Sequence, residues 1–462
     1  MHTRILALAL GVGLLAACTD VNAPNLNSPS QSDYTTITDR GQVQNLVTGL
    51  ISGDRGQIGG ELNFGEILGR DAYELTSAEP RNWTELLGPS IDPSGFIGRA
   101  VWPYGTIRLA DIGIQGISAA DAAVLSDADK AASLGVVHTL KALEYLRVVE
   151  TRDTAGAPIA VDTGSTIVVP DVHCKPDVLN FIAAVLDSGA TELAAGGSDF
   201  PFTLPAGFAD FSKPQTFLQF NRALAAKVNI YRAYMNYGAS QTIDQTALTS
   251  ALAEIDSSYI NATDPSKLDF GPAHTYSTVA GDALNGRFAD TSTTTVRVNP
   301  TVLTDADAGD DRVTRKTAAS SAISRGDGAQ QISSDHIFVV YMSPTAPQPI
   351  LPNKELILMK AEILWGQNNM AGALALSNFV RQQDGKLAAV NPTQPADVLT
   401  EILKQKRYSL LYESADRWID ARMFGRMADL GQERGFDPIP VLPIPSTEVD
   451  ARNGSITKVC GS

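Results

Sequence analysis

The stretch KQKRYSLLYESADRWIDARMFGRM, residues 404–427, decides how the rest of the chain is read. Tyr408, Leu411, Tyr412, Ala415, Trp418, Ile419 and Met423 recur at intervals of three and four, the period of a helix that buries one face. The spacing predicts one continuous helix over 404–427. Glu413 stands four residues before Arg417, the favourable order for an ion pair on a helix surface, and Asp420 follows three residues later. On one helix face Glu413 and Asp420 would lie about 10 Å apart. That admits a glycosidase pair, but Arg417 between them favours an ion-pair ladder instead.

Apolar spacing predicts further helices on either side. Val43, Leu46, Val47 and Leu50 share a face over 41–51, and Leu134, Val137, Leu140, Leu143, Tyr145 and Leu146 share one over 131–150. Segment 176–193 opens on Pro176 and Asp177, suited to a first helical turn. Segment 216–237 carries Phe217, Phe220, Leu224, Val228, Tyr231 and Met235, with Gly238 expected to end it. Segments 353–365 and 370–384 are joined by GQNN, a turn so short that the two helices must be antiparallel neighbours. Ala361, Ala371, Ala373 and Ala375 permit close approach there, as in a tetratricopeptide unit, although no strict 34-residue repeat recurs. The expected fold is all-α: tetratricopeptide-like hairpins in an α-superhelical core.

Between 259 and 352 the character changes to Thr, Ser, Asp, Gly and Pro, an irregular insertion with short β pieces at 294–298 and 336–341. Long loops of this kind usually bind something. Asp305–Asp311, DADAGDD, looks like a calcium loop, but Asp310 stands where the loop needs Gly and Lys316 where it needs Glu, so a solvated acidic turn is expected. The five histidines have no metal-ligand spacing, and neither a P-loop nor a GxSxG elbow occurs. No catalytic residue, metal or cofactor is expected. A net charge of −15 gives the chain nothing to gain from phosphate, which argues against nucleic acid.

The N-terminus carries the compartment signal. Ile5–Ala17 is uncharged and apolar, too short to span a bilayer comfortably, and no second long apolar run is evident. Leu15-Ala16-Ala17-Cys18 resembles the lipobox of a bacterial lipoprotein. This implies a signal peptide over 1–17 and acylated Cys18 as the mature first residue. Several acyl chains then hold the protein on a membrane. The Asn/Pro/Ser-rich segment 18–33 reads as a tether and 34–462 as a single body. Cys174 and Cys460 form either one disulfide or two buried thiols.

The 404–427 stretch resembles the C-terminal hallmark of the SusD/RagB family of outer-membrane nutrient-uptake lipoproteins: a basic residue, Glu-Gly, Arg-Trp-aromatic-Asp-Leu and a further Arg. Arg407, Glu413, Arg417, Trp418, Asp420 and Arg422 stand at matching places, while Ser414, Ile419 and Ala421 replace the usual Gly, aromatic and Leu. Glu355–Glu362, Asp310-Asp311-Arg312, Leu442–Glu448 and Trp102–Ile107 are similar to further family segments in the same order. The resemblance implies a non-enzymatic lid that captures glycan, or sometimes peptide, for a TonB-dependent barrel of the SusC type. It also implies an outer-membrane location facing the exterior. Two other readings are a helical-repeat scaffold of outer-membrane assembly and a surface glycan hydrolase. A sugar ring packs its C–H face on an aromatic side chain while amides and charges take its hydroxyls. By that chemistry Tyr73 and Trp83, with Arg81 and Asn82, are the expected ligand contacts.

Overall fold

In the computed structural model, which describes residues 32–161, 169–290, 293–454 and 456, the chain starts with a helical turn at Ser32–Thr35 and enters α1, Arg40–Leu68. Cys18, the signal segment and nearly all of the 18–33 tether lie outside the described residues. Asp39 caps α1 reciprocally with Gln42. The helix runs well past the expected end at Ile51 because its buried stripe continues through Ile58, Leu62, Ile67 and Leu68. Asp54, Glu61 and Glu66, which suggest solvent in the sequence, are buried on that helix.

The main helices that follow are α2 Tyr104–Ala119, α3 Asp127–Arg152, α4 Lys175–Ala195, α5 Pro214–Ala233 and α6 Gln245–Asp256. They are completed by α7 Asn353–Gly366, α8 Met370–Gln383, α9 Pro395–Ser409 and α10 Asp416–Met423. Each of α2 to α8 packs on the one before it; α9 lies against both α7 and α8, and α10 returns to α1. The all-α expectation holds, and successive antiparallel helices are consistent with tetratricopeptide-like hairpins. At the α3–α4 crossing, a Cβ on Gly135 would sit 2.9 Å from the Gly189 carbonyl oxygen, so the helices close to backbone contact. By length and composition α4 could cross a bilayer, contrary to the expectation of no second apolar run. Its apolar face, Val178, Leu179, Ile182 and Leu186, is buried between α3 and α5. The helix expected to stop at Gly238 ends at Ala233, and Gly238 lies in a separate turn, Tyr237–Ser240, close against Gly425. Cys174 is disulfide-bonded, and both other cysteines lie outside the described residues.

The irregular insertion is less peripheral than its composition suggests. Its strand β2, Val296–Val298, pairs antiparallel with β1, Ala72–Glu74, placing Arg297 opposite Tyr73. Strands β3, Thr317–Arg325, and β4, Ile332–Phe338, form an antiparallel hairpin. The acidic turn is not simply solvated: Asp305 pairs with Arg407, Asp307 with Arg381 and Lys404, and buried Asp310 with Arg312. Among the described residues no cluster of His, Cys, Asp or Glu could hold a metal.

The expected continuous helix over 404–427 is two helices. The chain leaves α9 at Ser409 and re-enters helix at Asp416, with Tyr412 in the left-handed region at φ 63°. No Gly or Pro marks the break; packing makes it. The Tyr412 ring stacks on Phe338 at 4.2 Å and 3°, with the Arg287 guanidinium 3.8 Å over it. A left-handed non-glycine residue costs about 1–2 kcal/mol. The aromatic pair returns roughly 0.5–1.5 kcal/mol beyond its burial, and a desolvated cation–π contact about 2 kcal/mol. Every residue of the expected apolar stripe is nonetheless buried.

Tyr412→Ala is therefore expected to destabilise the protein by about 3–5 kcal/mol in urea titrations. Tyr412→Phe, which keeps the stack, should stay within about 1.5 kcal/mol of the parent. Equal loss in both variants would contradict this account of the break.

Candidate functional site

The C-terminal motif closes on the end of α1. Arg70, left-handed at φ 61°, turns the chain so that Asp71 is buried beneath α9 and α10. Arg407 donates from Nε to Asp71 Oδ1 at 2.8 Å, and Arg417 Nη1 donates to the same oxygen. Arg417 Nη1 also donates to the Arg70 carbonyl at 3.1 Å. Gly65, one turn before the end of α1, is pressed so closely on Ala415 that a Cβ would collide at 2.2 Å.

Glu413 and Arg417 do not pair with each other, and no ladder forms. Glu413 takes Lys316 at 2.8 Å and Lys354 at 2.5 Å, and the two cations hold its carboxyl below the ordinary range despite burial. Asp420 takes Lys406 at 2.9 Å. Glu413 and Asp420 thus sit on different sets of lysines with Arg417 on Asp71, which leaves the glycosidase arrangement without a paired geometry. Trp418 is fully buried and donates from Nε1 to the Ile439 carbonyl at 2.8 Å.

Behind the motif runs a web with more buried carboxyls than cations. Lys227 contacts Glu150, Glu355 and Asp416; Lys406 contacts Glu362, Asp416 and Asp420; and Arg147 joins Asp54 and Glu61, with His274 on Asp54. Some of these acids must stay protonated. Burial, then repulsion from Asp416, pushes Glu355 up to about 8 against the pull of Lys227 and Lys406. Burial likewise raises Glu61, Glu362 and Asp420.

The expected ligand contacts divide. Tyr73 is buried and donates its hydroxyl to Glu433 Oε1 at 2.7 Å, tying β1 to the C-terminal segment. Trp83 is half-buried under the Arg434 guanidinium, 5.0 Å from its ring, and its Nε1 has no partner. Arg81 binds Glu79 at 2.6 Å and lies 4.8 Å over Phe96. Asn82 lines a cavity of about 180 Å³, whose wall is completed by Asn63, Phe64, Glu66 and Ile67 of α1, Ala72 and Glu74 of β1, Phe96, Val296 and Tyr412. The structure thus brings Asn82 to a cavity with Arg81 beside it and takes Tyr73 away.

A larger cavity of about 250 Å³ lies on the other side of the Asp71 cluster, lined among others by Lys404, Arg407, Arg417, Arg426, Asp305 and Asp429. Its basic groups are already engaged: Lys404 by Asp307, Arg407 and Arg417 by Asp71, and Arg426 by Thr400 and the Ala396 carbonyl. The smaller cavity differs in one respect. Glu66 is 4% exposed and its Oε2 has no partner. A buried polar atom without a partner costs about 1–3 kcal/mol, a cost that a ligand hydroxyl would relieve. This makes the smaller cavity the candidate site. Glu66 and Asn63 escape the sequence reading because the apolar spacing predicts a helix only as far as Ile51. The signal available was an acid inside the apolar run Phe64-Gly65-Glu66-Ile67-Leu68.

No protein-family model and no curated protein matches the sequence. Solved structures do match in fold. A SusD superfamily protein of Bacteroides fragilis superposes with a TM-score of 0.68 at 17% identity, covering 90% of this chain and 98% of the other. One from Parabacteroides distasonis gives 0.70 at 13% identity, covering 91% and 98%. A laminarin-binding SusD-like protein gives 0.65 at 16% identity, covering 90% and 98%. The chain has the SusD-like helical fold over about 90% of its length.

The raised Glu355 carboxyl gives a signed pH dependence. Folding takes up its proton between the model-peptide value of 4.5 and about 8, so its contribution is complete below 4.5 and is lost as pH rises through 8. In Glu355→Gln, stability relative to the parent should therefore rise across that window when urea midpoints are compared. Parallel curves would contradict the assignment.

Proposed function

We propose that the chain is a lipid-anchored capture protein of the outer membrane that binds oligosaccharide at the Glu66–Phe96 cavity. It then delivers the ligand to a TonB-dependent barrel of the SusC type, over which it acts as a lid. The observation that carries this reading is the cavity's make-up: apolar ring faces of Phe64 and Phe96 beside the amides of Asn63 and Asn82 and the unsatisfied Glu66 oxygen. Apolar faces with a few convergent polar groups are what a sugar ring needs. The likeness to a laminarin-binding protein of the same fold supports it.

Arg81 and Trp83, next in chain to Asn82, form the rim of this site in the proposal; Cys18 carries the lipid, and 18–33 supplies reach. Among the described residues the acids that could act in hydrolysis at the C-terminal motif are held on lysines, which supports binding without turnover.

Phe96 is 40% exposed, so its removal should spare the fold. Phe96→Ala and Asn82→Ala are expected to weaken oligosaccharide binding by more than about tenfold in calorimetric titrations of a glycan panel that includes laminarin, with unchanged Tm. Full affinity in both variants would remove the cavity from the account. Pull-down of the full lipidated chain should recover a TonB-dependent barrel; recovery of an outer-membrane assembly complex in its place would favour the scaffold reading.

A further inference from the structure

Among charged groups, the larger cavity is lined by both acids and bases, the smaller by acids alone, and the contrast bears on which glycans the smaller one can hold. Its wall contains two acids, Glu66 and Glu74, and no lysine or arginine. The cations nearby are spent on other groups. Arg287 donates from Nη1 to Asn63 Oδ1 at 3.0 Å and from Nη2 to the Tyr412 carbonyl at 2.8 Å, and its plane covers the Tyr412 ring. Arg81 makes two bonds to Glu79, at 2.7 and 2.6 Å.

The acids of the wall keep unused hydrogen-bonding capacity. Glu66 Oε2 is unpartnered, and Glu74 engages Thr76 N–H and Thr295 Oγ1 through Oε1 alone among its described bonds. Burial and the neighbouring Asp71 raise the Glu66 carboxyl well above its ordinary range, so it reaches a ligand as a hydrogen-bonding acid able to donate or accept.

We infer that this cavity is a charge-selective subsite: it accepts a neutral or amine-bearing sugar ring and rejects rings that carry a carboxylate or sulfate. The inference rests on the glycan-capture reading and deepens it. A hydroxyl or ammonium group meets acceptors at Glu66 and Glu74 and an amide at Asn82. A uronate meets the Glu74 carboxyl with no lysine or arginine in the wall to offset it, and burying like charges together without a counter-ion is unfavourable. The volume of about 180 Å³ suits a single ring, so selection falls on one residue of the glycan while the rest lies outside.

The test uses the intact mature chain and a panel of neutral (laminarin, mannan, xylan), amine-bearing (chitosan) and uronate-bearing (galacturonan, alginate) oligosaccharides, read by calorimetry. The expected result is binding within the neutral and amine-bearing sets, with uronate oligosaccharides at least about tenfold weaker. Glu74→Gln, at a half-buried position, should narrow that gap at unchanged Tm, whereas Glu66→Gln, which exchanges one neutral group for another, should leave it. The comparison on the parent chain decides the charge selection even where a variant fails to fold. Equal or tighter binding of uronate oligosaccharides, or a gap unmoved by folded Glu74→Gln, overturns the charge selection and leaves capture standing. Absence of binding to every member of the panel overturns capture itself.

Discussion

One buried carboxylate holds the two ends of this chain together. Asp71, just past the end of α1, is gripped by Arg407 from α9 and Arg417 from α10, more than three hundred residues later. Arg407 also holds Asp305, but Asp71 is the one carboxylate on Arg417 among the described ion pairs, and an uncompensated buried charge costs about 3–5 kcal/mol. The grip sets where α1 ends and where β1 begins, and β1 in turn fixes β2 beside it. Both cavities are framed by this junction. The lining of the smaller one comes from α1, β1, β2 and the break at Tyr412, four pieces that meet only because Asp71 is held.

The interior around the junction is over-supplied with acid. Lys227 and Lys406 share five carboxyls, and burial pushes several of these up so that they keep protons. A protonated carboxyl can donate as well as accept, which lets a limited number of cations satisfy a larger number of acids. Glu66 belongs to the same pattern with one difference. Its side chain lines a cavity and its spare oxygen has no lysine against it, which is why the proposed ligand site is placed at that edge.

The helical core was legible because its apolar spacing is regular: α3, α4, α7 and α8 lie within a few residues of their expected bounds, and the GQNN turn makes the antiparallel pair it implies. Expectation failed where charge is buried. Asp54, Glu61 and Glu66 hid the second half of α1, and the acidic turn at 305–311 read as solvent although Asp310 is enclosed. The break at Tyr412 has no local signal, since Phe338 and Arg287 come from the insertion and only the folded chain brings them to the ring. The candidate site was half legible for the same reason. Asn82 and its polar neighbourhood stand out in sequence, but the wall opposite is made of residues that read as core, and Tyr73 reads as a surface aromatic only until Glu433 is placed against it.

The claim on which the functional account depends is that sugar enters the space between α1, β1 and Phe96. A crystal structure of the protein grown with a bound oligosaccharide tests it directly. The account predicts a sugar ring packed against Phe64 and Phe96 with a hydroxyl or amine within hydrogen-bonding distance of Glu66 Oε2. A ring seated elsewhere, with that oxygen still unpartnered, would contradict it.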